Sequence, residues 1–467
     1  LDTLSNPKKI INEIKATAGV SGDVFKNGLK GLGLPIATDN TGNNEEFNNA
    51  APANGSADDI EGSSFGFSGL TMPSFFDVLK IPSMLTKIPT LVEDLANTLT
   101  DDVGNMKDKM LTFFTDSGYM RGDGDLITSI GSQNFVWGGH GKDLIALMGV
   151  NNNVWAGSGD DVGYLIGEGN TFSGNTGNDS ATMIGQNHMF IGGAGDDFAV
   201  ASGRDNNLFG GAGNDQLWAF GTRGLITGGD GDDYMVSTGN NHDINAGAGN
   251  DFSVSIGSGH KIALEAGHDQ AKLFGNKNHL LTGEGKDTVD IHSYDSVIQT
   301  DNGNDTIMAR AKSKGNEIHA GSGNDTIFIG GLNNTYSGGD GDEIFVMTKQ
   351  NIDGTITDID DTDILVFDNF SYTNLWFEKS LDDLIVHSHN NQIDASSGQN
   401  WFEEFGALKV DNYFEAGNRA RIVTSAKTND AGNIEYEYLD NNVIDKLVEI
   451  MATEDKVIGN GGFMTGK

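Results

Sequence analysis

Aspartate recurs in this chain every 18 residues, at Asp143, Asp161, Asp179, Asp197, Asp215, Asp233, Asp251, Asp269, Asp287 and Asp305. After a two-residue insertion the series continues with Asp325 and then Glu343, and Asp125 is a candidate degenerate first member. Each aspartate closes a glycine-rich run, as in Gly192-Gly-Ala-Gly-Asp-Asp197 and Gly228-Gly-Asp-Gly-Asp-Asp233. A carboxylate beside exposed backbone carbonyls is the donor set of a hard cation, and Ca²⁺ takes about six to eight oxygens. The glycines that would bare those carbonyls are Gly139, Gly141, Gly157, Gly159, Gly193, Gly195, Gly211 and Gly213. Further along they are Gly229, Gly231, Gly247, Gly249, Gly321, Gly323, Gly339 and Gly341. Stacked loops would set each ion between consecutive turns, and twelve loops leave room for about eleven ions. A metal-free stack using these turns for geometry alone is the competing reading. Asn or Ser would serve there without the repulsion.

The other half of each 18-residue unit is built differently. It starts at Gly131, Gly149, Gly167 and so on to Gly275, and carries Asn134, Asn152, Asn170, Asn206 and Asn278. His188, His242 and His260 stand at the same offset. These turns lack the carboxylate, so the expectation is one calcium column along one edge and a metal-poor edge opposite. The histidines read as substitutes for Asn in the turn rather than as zinc ligands, because no Cys or carboxylate accompanies them.

A fixed period places every unit on an equivalent turn of a solenoid. Glycine supplies the positive φ of the turns, which Asn and Asp also tolerate. After each aspartate the chain becomes apolar and alternating, as in Asp325-Thr-Ile-Phe-Ile, which reads as a short strand with one face inward. The opposite strand has a clean apolar column of Val136, Val154, Phe172, Phe190, Leu208, Ile226, Ile244, Ile262, Leu280, Ile298 and Ile318. These residues are expected to stack as the core of a parallel ladder. Twelve coils at about 4.8 Å give a rod of roughly 55 Å.

The nonapeptide-like loops, repeated in register over about half of the chain, resemble the RTX (repeats-in-toxin) family. The 18-residue unit is most similar to the C-terminal repeats of multifunctional-autoprocessing (MARTX) toxins. The resemblance implies an all-β fold, a right-handed parallel β-roll, with calcium binding coupled to folding. It also implies a secreted, extracellular bacterial protein that leaves by the type I secretion machinery without a cleaved N-terminal signal. The expected role is non-enzymatic: helping a toxin engage the host-cell surface and deliver effectors. A giant surface adhesin and an exported hydrolase carry similar modules and remain alternatives. Departures from the pattern matter. The loop at Glu265 to Asp269 lacks both leading glycines, and Glu tolerates positive φ poorly. Asn175 and Asp301 replace glycine more comfortably, and Glu343 replaces the last aspartate.

Around the repeat, residues 1–69 read as linker. Residues 70–120 read as a helical cap, with Ile88, Leu91, Val92, Leu95, Leu99, Val103, Met106 and Met110 at helical spacing. A membrane-surface segment is the other reading of that stretch, disfavoured by its acidic and neutral polar face. The roll is expected over 121–348, and 349–467 as a β-rich cap with a secretion-signal region at its end. A cap would cover the open edge of the last coil. Composition excludes several classes. The net charge of −38 leaves no basic stripe for nucleic acid. With 66 Gly, 6 Pro and no Gly-X-Y period, collagen is excluded. The absence of cysteine fits either a reducing compartment or a chain exported unfolded. No 18-residue apolar run exists, so membrane contact would not be by a transmembrane helix. The chain begins at Leu1 and shows no signal peptide, as a piece of a larger protein would. No catalytic grouping is evident: no His-Glu-X-X-His, no Gly-X-Ser-X-Gly and no phosphate-binding Lys-Ser/Thr.

Overall fold

The computed structural model describes residues 110–114, 119–121, 126–347, 353–367, 375–393, 400–428, 434–439 and 441–458. The linker of 1–69, Asp125 and most of the 70–120 segment lie outside these. Two compact units divide at Asp305 and Thr306, and each is described separately.

The first unit is a stack of two-strand coils. One ladder contains Met110–Phe114, Leu126–Ser132, Leu144–Val150 and their successors to Thr288–Tyr294. The other contains Tyr119–Arg121, Phe135–His140, Asn153–Ser158 and successors to Val297–Gln299. All these strands pair in parallel. Leu126 faces Leu144 and Leu144 faces Val162, so the register advances by one 18-residue unit per coil. The first coil is shorter: Met110 pairs with Leu126 and Tyr119 with Phe135. Met110–Phe114, at the end of the segment expected to be helical, is therefore strand.

The expected core column forms. Val136, Val154, Phe172, Phe190, Leu208, Ile226, Ile244, Ile262, Leu280 and Ile298 are buried and stack coil on coil. Large residues in this column meet small ones opposite. Phe172 and Phe190 stack with centroids 6.1 Å apart, and a Cβ on Gly163 would overlap the Phe172 ring. Close packing of this kind leaves little freedom in side-chain volume.

The second unit continues in the same style with altered register. Thr306–Ala309, Thr326–Ile329, Ile344–Met347 and Ile364–Phe367 form one parallel ladder; Glu317–Ser322, Asn334–Asp340 and Gly354–Asp358 form the other. Ile318 stacks on Tyr336, and Tyr336 on Ile356. Residues 408–410 and 421–423 add one more parallel coil. The chain then turns antiparallel: Leu375–Ser380 pairs with Asp383–Ile393, which pairs with Asn400–Val410, and Arg421–Thr428 pairs with Ile434–Leu439. A helix, Asn441–Ile458, follows, tied back by Arg419, whose guanidinium donates to both Asp445 oxygens at 2.7 and 3.2 Å. Among the described residues no helix is long and apolar enough to cross a membrane.

Candidate cation column

Each turn that leads into the first ladder brings its aspartate inward. Asp161, Asp179, Asp197, Asp215, Asp233, Asp251 and Asp269 are buried, and so is Asp143 at the start of the column. One oxygen of each is used by the fold. The Asp143 N–H donates to Asp161 Oδ1 at 2.8 Å, Asp161 N–H to Asp179 Oδ1 at 2.8 Å, and Asp179 N–H to Asp197 Oδ1 at 2.7 Å. The pattern repeats through Asp287, whose N–H donates to Asp305 Oδ1 at 2.8 Å. The glycines singled out in these turns adopt positive φ, from +101° at Gly139 to +141° at Gly249. A Cβ on Gly157 would run into the Gly139 carbonyl, so glycine is the residue that fits this close approach of coils without a shift.

The second oxygen is a different matter. Oδ2 of Asp161, Asp179, Asp197, Asp215, Asp233, Asp251 and Asp269 is buried with no hydrogen-bond partner. A Cβ added at Gly174 would run into both Asp179 Oδ2 and the Gly192 carbonyl, which places the two oxygens side by side. Asp197 Oδ2 with the Gly210 carbonyl, and Asp215 Oδ2 with the Gly228 carbonyl, are paired in the same way at Gly192 and Gly210. Two acceptors side by side in a buried turn require a proton or a cation. Burial, reinforced by neighbouring carboxylates, pushes the Asp179, Asp215, Asp233 and Asp269 carboxyls up to about 7. Burial likewise raises Asp161, Asp197 and Asp251 to about 6.

The opposite edge solves the same problem without charge. Asn134 N–H donates to Asn152 Oδ1 at 2.9 Å, and Asn152 N–H to Asn170 Oδ1 at 2.9 Å. Here the second side-chain atom is a donor: Asn152 Nδ2 gives to the Gly131 carbonyl and Asn170 Nδ2 to Gly149, both at 3.1 Å. The histidines take over the asparagine's acceptor role, and His188 its donor role as well. His188 Nδ1 accepts from Asn170 N–H at 3.2 Å while Nε2 lies 3.2 Å from the Ile184 carbonyl, which fixes a neutral Nε2–H ring. His242 and His260 Nδ1 accept the N–H groups of Gly224 and His242 at 3.1 and 3.3 Å. Burial lowers all three, His260 to about 3.

Sequence reasoning missed two features. Beside the aspartates runs an exposed ladder with the opposite hydrogen-bond direction: Asn178 N–H donates to Asp160 Oδ1, Asp196 to Asn178, Asn214 to Asp196 and Asp232 to Asn214, at 2.8–3.1 Å. Asp and Asn alternate there, so exposed carboxylates fall on every second coil. The alternation was the available signal. In the second unit, Glu343 N–H donates to Asp363 Oδ1 at 2.9 Å, so Asp363 stands one coil beyond the residue expected to end the column. Both side chains are buried, and burial beside one another raises both carboxyls. The strand Ile364–Phe367 directly after Asp363 was the sign of a further unit. As for the irregular loops, Asn175, Glu265 and Asp301 do take positive φ, +76°, +76° and +60°.

The column fits a hard cation. Among the described residues no three His, Asp or Glu side chains gather as a self-contained metal cluster. An ion here would instead take one or two carboxylates and complete its shell with turn carbonyls, which suits Ca²⁺.

The sequence has close relatives. It is 54% identical over 478 aligned residues, 99% of this chain, to a multifunctional-autoprocessing repeats-in-toxin of Vibrio vulnificus. It is 37% identical over 156 residues, 31% of this chain, to a protein of the same name from Vibrio cholerae serotype O1. The chain spans 9% of the length of the first and the match spans 3% of the second. No family model matches the chain.

Proposed function

We propose that this chain, an RTX sequence of the MARTX kind, is a calcium-dependent folding module of a secreted bacterial toxin. The observation that carries the reading is the row of buried aspartate oxygens without donors, those of Asp179, Asp197, Asp215 and Asp233 set beside a backbone carbonyl. In a calcium-poor cytoplasm the column would be left with protons or repulsion, and the chain would remain unfolded and exportable. Outside, millimolar calcium saturates even sites of about 10⁻⁴–10⁻³ M. Folding coupled to binding would then favour the exported state. Type I secretion, an extracellular location and support of host-cell engagement and effector delivery belong to this reading. The full-length relatives support the toxin over an adhesin or an exported hydrolase. The residues that would hold the ions are Asp143 through Asp325, Glu343 and Asp363, with the carbonyls of the glycine turns.

The test is circular dichroism of the chain titrated with Ca²⁺ from chelator to 10 mM, with Mg²⁺ as control. A cooperative coil-to-β transition specific to Ca²⁺ is expected. A full β signal in chelator, unchanged by calcium, overturns the reading.

A further inference from the structure

Histidine enters the carboxylate-free edge at three of the five coils between Asn170 and Asn278, as His188, His242 and His260, with Asn206 and Gly224 at the other two. All three rings are buried. Each accepts from the coil before it: Nδ1 takes the N–H of Asn170 at 3.2 Å, of Gly224 at 3.1 Å and of His242 at 3.3 Å. The ring proton therefore sits on Nε2, and a second proton, at Nδ1, sets an N–H against an N–H. Asparagine in the same place has no such state, because its amide oxygen stays an acceptor across the ordinary pH range. Two of the rings also lie face to face. His242 and His260 stack with centroids 5.4 Å apart and 8° between their planes, so charge on one opposes charge on the other. The backbone closes over the ring edges: a Cβ added at Gly185 or Gly257 would come within 2.8 or 2.9 Å of Nε2 of His188 or His260.

We propose that these three histidines form an acid-sensitive latch on the carboxylate-free edge: protonation at Nδ1 expels the ring from its turn, breaks its bond to the preceding coil and opens the roll locally between Asn170 and Asn278. The latch goes beyond the calcium reading and does not depend on it. Glu168 acts on His188 and Asp243 on His242, each favouring the cation, but both carboxylates are exposed. His242 opposes charge on His260. The remaining charged or titratable groups in these turns are Arg204 and Asp205 after His188, Arg223 before His242, Lys261 beside His260, and Lys277 and His279 on the next coil. All are exposed except the half-buried Asp205, which is paired with Arg204 and Arg223. Burial outweighs these neighbours and lowers all three rings. A group lowered in the folded chain contributes stability that is present above its unfolded value, about 6.5, and lost as pH falls below it. At pH 5 each ring held neutral weights the open form about 30-fold.

The test compares the full chain with a variant combining His188→Asn, His242→Asn and His260→Asn, which installs the residue that neighbouring coils use at this position. Both are melted at pH 7.5 and pH 5.0 in 10 mM Ca²⁺, where the chain is folded whether or not calcium is what folds it. Whatever the aspartates lose in acid, both proteins lose, so the difference between them reads the histidines. The melting temperature of the unsubstituted chain should fall between the two pH values by several degrees more than that of the variant. An equal fall overturns the proposal. Hydrogen exchange of the unsubstituted chain, corrected for intrinsic rate, tests the location and decides alone if the variant does not fold. Residues 180–276 should lose protection at pH 5.0 by about 30-fold more, one ring's worth, than residues 126–168, whose turns carry Asn134 and Asn152. A uniform change along the roll, or none, overturns the proposal.

Discussion

Two edges of one roll show what a carboxylate adds to a turn. At the metal-poor edge, Asn152 closes the turn through Oδ1 and uses Nδ2 on the Gly131 carbonyl. At the acidic edge, Asp215 closes its turn through Oδ1, which accepts from Asp197 N–H at 2.7 Å, and leaves Oδ2 against a carbonyl. Asp215→Asn keeps the first bond and turns the second atom into a donor. In chelator we expect it to stabilise the fold by roughly 1 kcal/mol, the net value of one hydrogen bond. In millimolar calcium it should destabilise it, because a ligand is lost. Thermal melts in the two conditions give opposite signs if the column binds calcium; a uniform shift in both argues for a turn-only role. The pH dependence follows from the same oxygens. Burial raises the folded carboxyls to about 6–7, above the ordinary range of an unfolded chain. Stability from these groups is present below the unfolded value and is lost as pH rises through 6–7. The lowered histidines act oppositely, losing stability as pH falls below the unfolded histidine value. They are fewer, so the metal-free chain should melt higher at pH 5.5 than at pH 7.5. Melting in chelator across that range checks the sign. Calcium at pH 7.5 should abolish the deficit, since deprotonated carboxylates are what it binds.

A coil succeeds or fails as a unit, and the strain is concentrated in its turns. Glu265 holds φ at +76° where other coils use glycine, and its exposed carboxylate gains only one hydrogen bond, from Asn245 Nδ2 at 3.0 Å. Glu265→Gly should therefore raise stability by about 1 kcal/mol, the usual cost of a left-handed non-glycine residue. A calcium-loaded melt checks this. Phe172→Ala should cost about 3–5 kcal/mol, because the ring fills the space that Gly163 leaves open and a cavity would remain. These elements were largely legible in the sequence. An invariant spacing fixes register, and register fixes which residues stack, so Val136 to Ile298 could be named as core before any coordinates. Legibility failed where the spacing broke. The first coil pairs Met110 with Leu126 at a shorter offset and has no Gly-X-Asp of its own, so its strand was read as the tail of a helix. Asp363 follows a two-residue lengthening, Ile344 pairing with Ile364, inside an acid-rich run that hid the ligand position. The burial of Val200, Trp218, Val236 and Val254 was also illegible, because apolar residues on both sides of a strand leave no alternation to read. The carboxylates' spacing was plain in the sequence, but that one oxygen of each is spent on the backbone and the other stranded is a fact of geometry.

At the scale of the whole molecule, a net charge of −38 offers a second explanation for any dependence on cations. Diffuse self-repulsion of an acidic chain opposes compaction, and any salt relieves it. The buried column makes a different demand. Its carboxylates lie beneath the turns, where mobile monovalent ions do not screen them and where desolvation is the larger cost. The exposed acids already moderate their own repulsion, with Asp160, Asp196 and Asp232 separated by Asn178 and Asn214 along the outer ladder and Asp205 paired to Arg223 at 2.8 Å. The two explanations therefore diverge at high ionic strength. In 1 M NaCl the screening length falls to about 3 Å, so surface repulsion is largely removed. If surface charge holds the chain unfolded, NaCl in chelator will produce the β signal that calcium produces. If the stranded oxygens hold it unfolded, NaCl will leave the chain disordered, and calcium added on top will still fold it, with a midpoint only modestly raised by competition. We expect the second result. Because each ion would join two consecutive coils, the transition should also stay cooperative in that salt, as nearest-neighbour coupling in a solenoid requires.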